Sequence, residues 1–388
     1  MGQKVIIIGA GVAGPVLGIQ LQNAGYHVEI FEGREDAGLE DGAFLGLTPN
    51  GLNVLLRFVP ETLLRQDCTT GSMRFYNQQG REIAALMTDY QRELYHCETI
   101  QLKRHRLNEA ARLAASEKKV PVYFGKKCVC VVETEQEVTA WFSDGSSASA
   151  DLLMGADGTF SAVRNSMFPG AARPVYNKNI STGGYARLPE LSTPLDAIRM
   201  TFGERGFFAY NVSSKGEIWW FNNYYRAQEP SREEVRTVLK SEIKNELLRI
   251  HEQDDPLFSR IIRATDQVIA YPVYDIPKLA QWHTRRVCLV GDAAHATSPH
   301  IGQGASLALE DTECLAKCLG NATTPEAAFA AFQRLRQPRV EKIIKSARKV
   351  GNAKSKPGRV ATWFRDRLIG FFIKAQIKKL HWIYGYRA

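Results

Sequence analysis

Residues 4–32 constrain the fold more than any other stretch of the chain. Lys4 to Ile8 (KVIII) is a short, β-branched, almost wholly apolar run of the kind a buried parallel strand requires. Gly9, Gly11 and Gly14 follow at once, at G-x-G-x-x-G spacing. Each glycine has its own physical reason to be there. Gly9 permits the tight turn off the strand, Gly11 lets the backbone approach a pyrophosphate closely, and Gly14 lets the next helix lie against the strand. That helix directs its free N–H groups at the phosphates. Pro15 falls in its first turn, where no intrahelical donor is missed, and Gly25 is a natural stop. The following strand, His27 to Glu32, ends in a carboxylate about twenty residues beyond the glycines, placed to accept hydrogen bonds from both hydroxyls of an adenosine ribose. Glu32 is the expected ribose ligand. The unit implies an α/β, Rossmann-like domain that binds a dinucleotide, and by itself it does not separate FAD from NAD.

Two later stretches bear on that choice. In ADLLMGADGTFSAVR, the strand Asp151 to Met154 runs into Gly155, Ala156, Asp157 and Gly158. In RRVCLVGDAAHATSPHIGQGASLALEDTECLAKCL, the strand Val287 to Val290 delivers Gly291 and Asp292, and a glycine-rich loop opens a long helix through Gly302, Gln303 and Gly304. An Asp at the end of a buried strand, as at Asp292, can accept hydrogen bonds from the ribityl hydroxyls of FAD, which NAD lacks. A helix starting at Gly302, Gln303 and Gly304 aims backbone N–H groups at the pyrimidine edge of a flavin, where negative charge collects on reduction. Asp144-Gly145 is a second DG pair and is read as a plain hairpin turn. Asp157-Gly158, after an apolar strand and before TFSAVR, is read as functional.

With these motifs and RHRL at 104–107, the chain resembles, over essentially its whole length, the group A flavoprotein monooxygenases, the family of para-hydroxybenzoate hydroxylase and the tetracycline-inactivating flavoenzymes. The marks are Gly9, Gly11, Gly14 and Glu32; Asp157-Gly158; Gly291-Asp292 with His295 and Pro299; and Arg104, which matches the family's flavin-contacting R-x-x-L. The resemblance implies a Rossmann-like FAD-binding domain (GR2/PHBH type) with a β-sheet substrate domain and C-terminal helices. It implies FAD as cofactor and NADPH or NADH as transient reductant. Group A enzymes lack a separate nicotinamide domain whose residues would choose between the two. Dioxygen would add at the flavin C(4a) carbon, and the hydroperoxide would deliver one oxygen to a small aromatic or polyketide-like substrate, a tetracycline-type antibiotic among them. Pro299 and Gly302 are the expected catalytic positions beside the ring. Asp157 and Gly158 resemble the fingerprint associated with FAD pyrophosphate and transient nicotinamide binding. His295 is expected to support its loop rather than act as a base. A flavin-dependent double-bond reductase, a halogenase or a non-catalytic flavin-binding scaffold are the alternatives; the halogenases' WxWxIP stretch is absent.

From about Pro174 to Pro272 strands dominate and the dinucleotide motifs stop. Phe207 to Val212 and Glu217 to Tyr225 read as a hairpin joined at Ser214, Lys215 and Gly216. Alternate residues of a strand point to opposite faces, so a cavity under this sheet would see either Trp219, Phe221 and Asn223 or Trp220, Asn222 and Tyr224. Tyr210, Trp220 and Asn222 are taken as the candidate substrate residues. The expected division is 1–173 with 271–320 for the FAD-binding domain, 174–270 for the substrate domain and 321–388 for a C-terminal helical segment. In that segment Phe364, Leu368, Phe371, Phe372, Ile373, Ile377, Leu380, Trp382 and Tyr384 recur at helical spacing.

Composition limits the remaining classes. The 388 residues are 44% hydrophobic and 23% charged, as in a globular protein of two packed domains. The apolar runs are far shorter than the ~20 residues that span a bilayer, and no secretory signal opens the chain, so a cytoplasmic protein is expected. The net charge of +9 gathers after residue 330, where basic residues interleave with apolar ones at helical spacing. That pattern points to a helix packed on its own protein with Lys and Arg stems along its rim, and not to a nucleic-acid partner. The seven cysteines include no CxxC pair and are read as free thiols without a metal. No nucleophile triad or carboxylate pair is nominated.

Overall fold

A computed structural model describes residues 2–35, 44–65, 68–237, 242–297, 301–354 and 380–388. At its centre lies a five-stranded sheet in the order β18 (Val287–Leu289), β12 (Leu152–Gly155), β1 (Lys4–Ile8), β2 (His27–Phe31), β8 (Val122–Tyr123). Every pairing in it is parallel. Both faces are covered by other elements, which is why Val5 to Ile7, Leu152 to Met154 and Val287 to Leu289 are all buried and read as unbroken apolar runs. Helix α1 (Ala13–Asn23) returns from β1 to β2 and packs against α5 (Arg104–Glu117) and α11 (Gly304–Asn321). Beside this sheet, β9 (Cys128–Glu133), β10 (Val138–Phe142) and β11 (Ser147–Ala150) form an antiparallel sheet. Asp144-Gly145 makes its hairpin turn, with Gly145 at φ 84°.

A second layer is a seven-stranded sheet in the order β17 (Ile269–Asp275), β13 (Val175–Ala186), β16 (Ile218–Tyr225), β15 (Gly206–Val212), β14 (Ile198–Phe202), β5 (Met73–Asn77), β6 (Glu82–Leu86). The hairpin read from the sequence is β15–β16. The sheet extends past residues 174–270, because the hairpin β5–β6 joins its edge by a parallel pairing of β5 with β14. A hairpin's own alternation carries no sign of such a distant partner. Between the two large sheets lies a third, of β3 (Phe44–Leu47), β7 (Ile100–Lys103) and β4 (Cys68–Thr70).

One face of the seven-stranded sheet is covered by α8 (Ile243–Ile250) and α9 (Pro256–Ala264), which follow the short α7 (Arg232–Arg236). Their apolar stripes, Ile243 and Leu247 with Phe258, Ile261 and Ile262, are buried there. The Asp255 side chain caps α9 at Leu257 N, with Pro256 in the first turn. The other helices, α2 (Pro49–Leu55), α3 (Glu61–Arg65), α4 (Tyr90–Tyr95), α6 (Ala162–Met167), α10 (Asp292–His295) and α12 (Pro325–Lys354), surround the parallel sheet and the three-stranded sheet next to it. Helix α2 lies close on α11, where a Cβ at Gly51 would stand 2.5 Å from Ser306 Cα.

Of the tail positions singled out above, Phe364, Leu368, Phe371, Phe372, Ile373 and Ile377 lie outside the described residues. Residues 380–384 form a helical turn and 385–388 an irregular end. Among the described residues no helix is long and apolar enough to cross a membrane, and no group of three or more His, Cys, Asp and Glu is arranged to hold a metal ion. None of the seven cysteines forms a disulfide. Burial pushes the Cys97 thiol up to about 11 and those of Cys128 and Cys314 up to about 12, so none of these three is a thiolate at neutral pH.

Candidate active site

Because β1, β2, β12 and β18 run parallel, their carboxyl ends share one edge. The residues that follow those ends, Gly9 to Gly14, Glu32, Asp157-Gly158 and Gly291-Asp292, are gathered there from four distant parts of the sequence. That is where ligands settle on open parallel sheets.

The turn after β1 shows why glycine is needed. Gly9 has φ 107°, and a Cβ there would stand 2.4 Å from Ala156 O; at Gly14 it would stand 2.0 Å from Gly9 O. At Gly11 a Cβ would meet nothing within 4 Å, so this backbone faces open space that a pyrophosphate can enter. Helix α1 has no acidic residue in its first turn and no side-chain cap, leaving its N-terminal charge for an anion. The Glu32 carboxylate is held by the N–H groups of Ala10, 2.7 Å from Oε2, and Arg34, 3.0 Å from Oε1.

Asp292 opens α10 directly after Gly291, whose φ is 61°. Burial raises the Asp292 carboxyl above the ordinary carboxylate range, with the charges of His295 and Arg104 acting in the opposite sense. Arg104 starts α5 beside it. The His295 ring is buried, with Nε2 2.5 Å from Asp311 Oδ2 and its face 5.1 Å from the Trp282 ring, so it props the loop. Asp157 Oδ2 accepts from the N–H groups of Ala162 (2.7 Å) and Val163 (3.2 Å) and thereby holds the start of α6, while Oδ1 is buried without a partner. Burial raises the Asp157 carboxyl as well. Gly158 follows it at φ 79°.

At the start of α11, Gly302 has φ 61°, and a Cβ built at Gly302 or Gly304 meets nothing within 4 Å. The Gln303 side chain turns inward: Nε2 donates to Thr48 Oγ1 (3.0 Å) and Oε1 accepts from Asn50 Nδ2 (3.1 Å). It therefore has only its backbone to offer a cofactor. Pro299 lies outside the described residues.

The substrate residues taken from the sequence need correction. Tyr210, Trp220 and Asn222 lie on the face of the seven-stranded sheet that packs on α8 and α9. Trp220 stacks at 5.3 Å on Phe208, which stacks at 4.4 Å on Phe258, and the Trp220 Nε1–H donates to Thr265 Oγ1 at 2.8 Å. Asn222 Nδ2 is 2.6 Å from His251 Nε2, and His251 Nδ1 is 2.7 Å from Asp254 Oδ2, with both partners fully buried. These side chains are structural core.

The opposite face carries Tyr185, Phe207, Asn211, Trp219, Phe221 and Asn223. Phe44, at the start of β3, lies 5.6 Å from the Trp219 ring and 5.7 Å from the Phe221 ring. Phe44 pairs with Lys103, the residue before Arg104. Lys103 Nζ lies over the Tyr185 ring at 4.3 Å and is neutralised by Glu217 at 2.9 Å. This is the face that meets β3 and β7. On it, Asn211 Nδ2 and Asn223 Oδ1 are buried without hydrogen-bond partners, as is Thr297 Oγ1 in the segment after α10.

Sequence reading also passed over Glu310 and Asp311 on α11 and Arg336 and Arg339 on α12. Three acids, Glu310, Asp311 and Glu313, within LALEDTECL of an otherwise largely apolar helix were the available signal.

A parallel sheet with two acid-free helix N-termini, α1 and α11, accompanied by a separate aromatic sheet, has the architecture of a flavoprotein hydroxylase. The family described as FAD binding domain matches residues 3–347, and the chain belongs to that family, with FAD as cofactor and group A monooxygenases and hydroxylases as its relatives. It is 28% identical over 354 residues to the 6-hydroxynicotinate 3-monooxygenase of Bordetella bronchiseptica, covering 88% of this chain and 89% of that one. It is 27% identical over 356 residues to the FAD-dependent urate hydroxylase of Klebsiella pneumoniae, covering 89% of each. Among solved structures, Klebsiella pneumoniae HpxO complexed with FAD and uric acid matches with a TM-score of 0.82 at 24% identity, over 94% of this chain and 92% of that one. The tetracycline destructase Tet(51) has the same fold, with a TM-score of 0.72 at 18% identity over 97% of both chains.

Proposed function

We propose that this chain hydroxylates a small, flat aromatic substrate, using NADPH or NADH and dioxygen. The reading rests on two observations: the carboxyl ends of β1, β2, β12 and β18 share one edge, and the sheet face of Trp219 and Phe221 meets Phe44, whose strand pairs with β7 just before Arg104, a residue whose charge acts on Asp292. When bound, FAD supplies two-electron chemistry with the nicotinamide and activation of oxygen. The chain's own residues bind and orient. Glu32 accepts from the adenosine ribose, Gly11 and the first turn of α1 take the pyrophosphate, and Gly158 borders it. Asp292 accepts from the ribityl chain, Arg104 lies against the flavin, and the backbone of Gly302, Gln303 and Gly304 supports its pyrimidine edge. Gly302 borders the reacting edge. Division of the chain follows: 1–173 with 271–320 for the cofactor, 174–270 with the hairpin β5–β6 for the substrate, and 321–388 as the C-terminal segment.

The aromatic face favours a flat ring, and its amides favour a few polar substituents. Relatives named for 6-hydroxynicotinate and urate support a nitrogen heterocycle ahead of a tetracycline. The test is oxidation of NADPH and NADH by the purified flavoprotein under air, across hydroxynicotinates, purines, phenols, quinolones and tetracyclines, with mass spectrometry of products. A compound that accelerates oxidation and gains about sixteen mass units, one oxygen atom, supports the proposal. A reduced product formed equally well without oxygen sinks it.

A further inference from the structure

Charges are seldom placed fully inside a protein, since each must be paired to offset its lost hydration. Four stand together behind the first turns of α11. Asp311 accepts from Gly291 N (3.0 Å) and Arg336 Nε (2.7 Å) and meets His295. Burial alone would raise its carboxyl; the charges of His295 and Arg336 outweigh that and hold it below the ordinary range. Glu310 pairs with Arg336 at 2.6 Å and accepts a two-pronged contact from Arg339, with Nη2 at 2.7 Å and Nε at 2.8 Å. Two carboxylates thus balance two guanidiniums.

Glu310 is also a junction. Inward, it accepts from Asn50 Nδ2 at 2.6 Å; Asn50 in turn contacts Gln303, and Thr48 meets Ser306 at 2.8 Å, all within the first turn of α11 and the start of α2. Outward, Arg339 donates to the carbonyls of Trp382 (2.9 Å) and Ile383 (3.0 Å) and lies 3.8 Å from the Tyr386 ring. The same segment is tied down by His381 against Tyr95 OH (3.1 Å), by Arg387 to Tyr95 O (3.2 Å) and by Lys317 to the carbonyl of Ala388.

We propose that Arg339 is a positioning residue that fastens segment 380–388 to Glu310 and sets the charge felt at the N-terminal end of α11, and so the ease with which bound FAD is reduced. The inference rests on the flavin placement proposed above. Glu310 is six residues from Gly304, about 9 Å along the helix axis. One unbalanced charge at that range or slightly beyond it, at an effective dielectric of about 20, changes the ratio of reduced to oxidised flavin about ten- to twentyfold. For a two-electron couple that is ~30–40 mV.

The experiment is a redox-dye titration of the FAD-loaded protein in the wild type and in Arg339→Met, Arg339→Lys, Glu310→Gln and the Arg339→Met/Glu310→Gln pair, with limited proteolysis of each. Arg339→Met is expected to favour oxidised flavin about ten- to twentyfold and Glu310→Gln to favour reduced flavin by a similar factor. The pair and Arg339→Lys are expected to stay within about twofold of wild type in potential. Arg339→Met exposes residues 380–388 to protease. Shifts of one sign in both single variants, or none in either, overturn the proposal. Asp292→Ala, measured alongside for FAD affinity, separates the two claims: unchanged affinity sinks the flavin placement, whereas lost affinity with flat potentials elsewhere sinks only the role of Arg339.

Discussion

The two faces of the seven-stranded sheet are close in composition and opposite in fate. Trp220, Asn222 and Tyr210 point to α8 and α9, where each polar atom of Trp220 and Asn222 has a partner. Trp219, Phe221 and Asn223, one residue out of step, lie on the face that meets β3, with amide atoms of Asn211 and Asn223 buried and unmet. Satisfied polar groups specify a core, whereas a buried group left unpaired costs about 1–3 kcal/mol. The difference is the ground for proposing the second face, not the first, as the substrate's.

The largest break in that contrast comes from the two tryptophan-bearing rows. Trp220→Ala removes a stacked, hydrogen-bonded side chain and is expected to lose about 3–5 kcal/mol in urea unfolding. Phe221→Ala, half-buried against Phe44 of β3, is expected to lose less and, on the proposed function, to weaken substrate binding. A stable Trp220→Ala protein with only an altered KM would invert the assignment of the faces.

The amides sharpen it. Asn222→Leu strands His251 and is expected to cost about 1–3 kcal/mol. Asn223→Leu deletes an unpaired amide, so the substrate-free protein is expected to keep or gain stability while the KM for an aromatic substrate rises about 3- to 10-fold, one hydrogen bond's worth. Equal destabilisation by both substitutions would erase the distinction.

The smallest expected effect is on pH. Burial raises the Tyr210 and Tyr224 phenols, both on the packed face, above their ordinary value. Their contribution is complete below the unfolded tyrosine value of about 10 and is lost as pH rises from there through the folded values. Tyr210→Phe/Tyr224→Phe is expected to flatten the fall in unfolding free energy between about pH 9 and 11; an unchanged slope would place that titration elsewhere.

Much of the cofactor half was legible because its constraints are local. Gly9 and Gly14 are demanded by contacts within one strand-turn-helix unit, and Glu32 sits at a spacing fixed by one helix and one strand. Asp292 and Gly302 announce themselves by standing at element ends. The buried acids of α11 were less legible: Glu310 and Asp311 look like ordinary helix charges until Asn50, Arg336 and Arg339 arrive from two other helices. The hairpin β5–β6 likewise shows nothing of the distant strand it joins.

What the sequence determined alone was therefore the class of fold, the cofactor, and the order of the elements that hold it. The fold class and the order of elements follow from periodicity and from backbone conformations that only particular residues adopt; FAD follows from the resemblance of three ordered motifs to a known family. What the tertiary structure decided was which face of the aromatic sheet packs on α8 and α9 and which meets β3, and where the buried charges find partners. A strand states only that its neighbours alternate; whether helices α8 and α9 or strand β3 covers a given side depends on packing between segments far apart in the chain.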